Sequence, residues 1–150
     1  MFSTVPQVRA ALVELFTAAL NLPGDPPVLY SDGRDDGDFF VKVGTVAGQA
    51  ERSIKRMPHT TTSSMDEDYS VEVYIWRILR SRNDSAATRE ACEAAFAIAD
   101  RLDAALRADY RLGDLVTWSY FADFTSSDYA VPEGRATDIV TTVTVKTARI

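Results

Sequence analysis

Apolar and polar positions alternate along the chain in two periods. Val5, Val8, Leu12, Leu15, Phe16 and Ala19 recur at helical spacing, which predicts an amphipathic helix ending near Leu20. Thr4 stands where an N-cap belongs, and Gln7 supplies the second half of a capping box. Pro23-Gly24-Asp25-Pro26-Pro27 stops the helix. Val28-Leu29-Tyr30 and Asp38-Phe39-Phe40-Val41-Lys42-Val43-Gly44 read as two strands of a hairpin around a polar turn at Asp32 to Asp38. Val46 to Asp68 shows no sustained period, so the segment 46–68 reads as a long interface or flexible loop. Tyr69 to Arg80 is dense in β-branched and aromatic residues and is the clearest strand. Asn83-Asp84-Ser85 offers caps for a second helix, with Cys92, Ala95, Phe96, Ala99, Leu102 and Leu106 on its inner side and Gly113 beyond its end. Leu115 to Phe124 and Ala136 to Arg149 complete the set as strands, separated by a polar loop containing Pro132 and Gly134. The sum is one α+β domain over 1–150, a mostly antiparallel four- or five-stranded sheet with two helices packed on one face.

Strands half-exposed in such a sheet should be apolar on alternate residues alone. In the strand from Tyr69, residues Tyr69, Val71, Val73 and Ile75 point one way, yet Tyr74, Trp76 and Ile78 point the other. The next strand repeats the feature, with Val116, Trp118, Tyr120 and Phe124 on one face and Leu115 and Phe121 opposite. Two helices cover one face, so the second face carries Trp, Tyr and Ile. Each large apolar side chain left in water forgoes about 1.5–3 kcal/mol. Contact with other subunits would bury them, and so would the long loop folding back over that face.

Composition adds exclusions. The 150 residues are 46% hydrophobic and 25% charged, with a net charge of −6, which disfavours a broad basic surface for nucleic acid. A single cysteine, Cys92, precludes an internal disulfide and fits synthesis in a reducing compartment. No apolar run reaches membrane-spanning length, and the first six residues do not form a secretory signal.

Candidate chemistry is thin. Asp32-Gly33-Arg34-Asp35-Asp36-Gly37-Asp38 departs from a calcium loop at its third and twelfth positions, Arg34 and Val43. His59 is the sole histidine and lies in a polar stretch, and Cys92 falls on an inner helix face. Glu90 and Glu93 lack histidine companions for a metal, and Gly44 and Gly48 are not followed by the Lys-Ser/Thr of a phosphate loop. No cofactor, metal or catalytic residue is expected. The interface candidates are Arg52, Lys55 and Arg56, which could meet Asp66, Glu67 and Asp68 of a neighbouring copy, and the faces bearing Tyr74, Trp76, Trp118 and Tyr120, with the turn near Pro132.

The order of elements resembles the tail terminator proteins of long-tailed bacteriophages. The resemblance rests on the opening helix Val5-x-x-Val8-x-x-x-Leu12-x-x-Leu15-Phe16, the segment Phe39-Phe40-Val41-Lys42-Val43-Gly44, the strand Tyr69 to Trp76, the Ala-rich helix Thr88 to Leu106 and two final strands. It implies a hexameric homo-oligomer in the virion neck, assembled in the host cytoplasm. Such a ring caps the tail tube, ends its growth and meets the head connector protein. DNA passes through the lumen without specific binding, and no membrane is involved. Another neck component, a head–tail connector or tail-completion protein, is the alternative. A small ligand-binding or enzyme subunit is a third reading from a different class.

Overall fold

The computed structural model describes residues 2–31, 37–56 and 63–149. Their order is α1 (Val5–Ala19), β1 (Val28–Tyr30), β2 (Phe39–Val46), β3 (Glu51–Arg56), β4 (Ser63–Arg80), α2 (Ser85–Ala108), β5 (Trp118–Val131) and β6 (Gly134–Arg149). The fold is α+β. Among the described residues the sheet has six strands in the order β1-β2-β4-β6-β5, with β3 on β4 beside β2. Every pairing except β1–β2 is antiparallel.

Both helices pack on one face. Val8, Leu12 and Phe16 of α1 and Ala95, Ile98, Leu102 and Leu106 of α2 meet Tyr69, Val71, Val73 and Ile75 of β4 and Ile139, Val143 and Val145 of β6. These β4 and β6 positions alternate, as a strand with one buried face requires. Asp84 caps α2 by accepting the Ala87 N–H at 2.7 Å. Arg101 of α2 fixes the turn after α1: its guanidinium donates to both Asp25 carboxylate oxygens at 2.6 and 2.8 Å and to the Ala19 carbonyl at 2.8 Å. The salt-bridged Arg101, and then the Leu22 N–H, hold the Asp25 carboxyl below its ordinary range.

Several sequence expectations give way. The segment 46–68 is not a loop over its described part, because β3 pairs with the first residues of β4, from Glu51↔Asp68 to Arg56↔Ser63. Residues 51–54 are all exposed, so the strand has no apolar alternation to betray it. The expected hairpin of the first two strands is instead a parallel pair, Val28↔Val41 to Tyr30↔Val43, and its acidic turn at 32–36 lies outside the described residues, as does His59. β5 and β6 run through the expected polar loop and join over Pro132-Glu133. Gly134 begins β6 at φ +154°, and a Cβ there would sit 1.9 Å from the Leu79 carbonyl oxygen, so only glycine fits.

The capping box is also replaced. The Thr4 side chain makes no cap bond to its own helix. Its N–H and Oγ1 both donate to Glu67 Oε1 at 2.8 Å, and Oγ1 lies 2.9 Å from the Tyr69 hydroxyl. Thr4 and Glu67 are both buried. Glu67 thus sits at the start of α1, where the helix dipole favours a negative charge.

Candidate assembly surface

The second face of the sheet is the place to test the two-sided apolar pattern. Much of it closes on itself. Phe40, Trp76, Ile78 and Ala136 form a small buried cluster, with Leu29, Tyr74, Tyr129 and Val131 packed around it. The Trp76 ring lies 6.4 Å from Phe40 and 5.7 Å from Tyr129. Ala136 is the register partner of both Ile78 and Tyr129, and its small side chain leaves room for the Tyr129 ring to reach Trp76. Asp138 accepts from the hydroxyls of Tyr74 and Tyr129 at 3.3 Å each.

This corrects the sequence reading of Trp76. Only 5% of it is exposed, so it offers little surface to a partner, and Tyr74 is half-buried beside it. Among the described residues the cover comes from within this chain. It is a layer of rings on neighbouring strands of the same sheet.

The β5 end of the sheet behaves differently. Trp118 and Tyr120 are 48% and 46% exposed and touch edge to face at 5.9 Å. Phe124 is 59% exposed. A register shift between Phe121 and Phe124 reverses the strand's parity, so residues three apart both lean toward the helices. Phe121 stacks on Phe16 at 5.8 Å, and Phe124 meets Phe96 of α2 edge-on at 5.9 Å. Phe124 therefore does not share a face with Trp118 and Tyr120, contrary to the regular alternation assumed from sequence. Val116 precedes the strand and is buried in the main core. Tyr110, just past α2, is also half-exposed beside this group.

At the opposite border stand the basic residues. Arg52 lies over the Phe2 ring at 4.4 Å and donates to the Met65 sulfur at 2.9 Å. Ile54 is 67% exposed. Lys55 and Arg56 complete β3. The acidic trio expected to come from another copy is the strand partner within this chain: Arg52 is opposite Glu67, and Ser53 is opposite Asp66. It does not form one acidic patch. Glu67 is buried on the helix side, Asp66 is half-buried, and Asp68 is exposed.

The remaining candidates find ordinary roles. Glu90 pairs with Arg82, and Glu93 with Arg89 at 2.7 Å. No cluster of three potential metal ligands occurs among the described residues. Cys92 is half-buried at the rim of the helix core, and burial, then the charges of Asp128 and Glu93, push its thiol up. No described helix is long and apolar enough to cross a membrane.

No family model matches the chain, and no curated protein does. Among solved structures, it is similar to a chain from the virion of a native gene transfer agent particle. That likeness has 13% identity over 93% of this chain and 94% of the other, with a TM-score of 0.36.

Proposed function

We propose that the chain is a structural subunit of a phage-like neck, forming a hexameric ring that caps the tail tube and joins it to the head connector. The observation that carries this reading is exposed apolar surface at two opposite borders of one sheet. Trp118, Tyr120 and Phe124 mark the β5 border, and Ile54 marks the β3 border. Two different patches on one chain suit head-to-tail contacts, and such contacts close into rings when the rotation allows. Leaving four large side chains in water forgoes about 1.5–3 kcal/mol each when fully exposed, which association recovers in part. The order of elements resembling tail terminators adds the place of action. The net charge of −6 suits a lumen through which DNA slides without sticking. The role is architectural, not catalytic.

Size-exclusion chromatography with light scattering, alone and with purified tail tubes, tests the proposal. A closed oligomer that decorates tube ends is expected. A chain that stays monomeric and leaves tube ends bare overturns it. Electron micrographs of the particle then separate the tube end from the portal side, where another neck component would sit.

A further inference from the structure

The ring reading leaves open which surfaces meet, and the chain's own grooves and charges narrow the choice. Between α2 and β5 runs an apolar groove. One part, of about 450 Å³, lies beside Tyr110, Trp118, Tyr120 and Phe121. An adjoining part, of about 260 Å³, shares Phe121 and continues past Phe96 and Phe124. The two parts also share Asp103 and Arg107, so they form one trough along the helix.

Its charge is negative. Asp100 and Asp103 line it from α2. Arg107 is tied to Asp103 at 3.0 Å. β5 itself contains Asp123 and Asp128 and no lysine or arginine. β3 is the reverse, with Arg52, Lys55 and Arg56 against Glu51 and with Ile54 standing out into solvent. β5 closes the far side of β6, while β3 lies on the other side of β4. The two surfaces are complementary in charge, both carry apolar side chains, and they sit at opposite borders of one sheet.

We infer that β3 of one copy seats in the α2–β5 groove of the next, with Ile54 entering among the aromatic rings and Arg52 meeting Asp100. The occupant is a second copy of this chain. The contact is heterologous, so each copy gives one β3 and receives another. This inference rests on the ring reading and adds the surfaces that build it.

Mixed cross-linking tests it. Cys92→Ser removes the native thiol, and Ile54→Cys and Phe124→Cys are made separately in that background, with folding checked by circular dichroism. Cross-linking with a short bis-maleimide should join the two variants when mixed and give little product from either alone. Reversing charge with Arg52→Glu should weaken self-association by about tenfold, and Asp100→Lys in the same chain should restore it. An oligomer that gives no mixed product, or that is indifferent to the reversals, overturns this contact and leaves the ring standing. A wild-type chain that stays monomeric with and without tubes overturns the ring and the contact with it.

Discussion

The two tryptophans are alike in sequence setting and opposite in structure, and that contrast can be measured. Trp76 is 5% exposed within its ring cluster, whereas Trp118 is 48% exposed. A tryptophan buries about 200 Å² when enclosed, worth about 5 kcal/mol at 25 cal/mol per Å². Trp76→Ala should therefore cost about 3–5 kcal/mol, since the cavity among Phe40, Tyr129 and Ile78 collapses only in part. Trp118 keeps about half that contact and can relax into solvent, so Trp118→Ala should cost the monomer about 1–2 kcal/mol. Urea unfolding followed by far-ultraviolet circular dichroism reads both values. Because the chain has two tryptophans, each Trp→Phe variant leaves a single reporter. Trp118→Phe should emit at short wavelength and resist acrylamide. Trp76→Phe should emit at longer wavelength and be quenched in the dilute monomer, then become shielded as copies associate. Equal quenching of the two reporters in the monomer, or equal costs of the two alanine variants, would refute the assignment of Trp76 to the fold and Trp118 to assembly.

Gly134→Ala should destabilise the chain by about 2–3 kcal/mol in the same unfolding assay, because its Cβ collides with the Leu79 carbonyl and φ is positive. For Asp25, the folded pKa lies below the unfolded one, so its contribution is present above the ordinary carboxylate range and lost as pH falls through the folded value. Asp25→Asn should thus lower Tm at about pH 7, and the gap to wild type should close well below about pH 4 in a calorimetric series.

Parts of this fold are plain in the sequence because side-chain burial writes them there. The inner positions of both helices and the alternation Tyr69, Val71, Val73, Ile75 follow from one buried face each. β3 and the later half of β5 were hidden for the converse reason. Their side chains are mostly exposed, so their strand character comes from backbone pairing with β4 and β6, which leaves no mark on polarity. Trp76 and Trp118 both read as candidates for an uncovered face. What separates them is the arrival of Tyr129 across Ala136, a contact between residues brought together only when β5 and β6 pair. The exposed Ile54 was legible as a residue but not as a feature, because the strand holding it up was not visible.

The buried Glu67 links the two kinds of information, stability and assembly. It lies on the stretch of β4 that carries β3, opposite Arg52, and its Oε1 is held by the Thr4 N–H and hydroxyl at the start of α1. The stretch of β4 that carries β3 is therefore tied to the start of α1 through this carboxylate, in addition to its pairing with β6. Glu67→Ala removes the shared acceptor and leaves the buried Thr4 N–H unsatisfied while the Thr4 hydroxyl keeps Tyr69, a cost of about 1–3 kcal/mol. Glu67→Gln keeps a carbonyl acceptor and loses the charge that the helix terminus favours, so its cost should be smaller, about 1 kcal/mol. Both variants should weaken self-association as well as folding, because they loosen the mount of β3. Ile54→Ser alters the exposed side chain alone and should weaken association with Tm almost unchanged. Light scattering and calorimetry on the three variants give the comparison. If Glu67→Ala lowers Tm while association of the remaining folded protein is untouched, then β3 is not the mounted element of the contact.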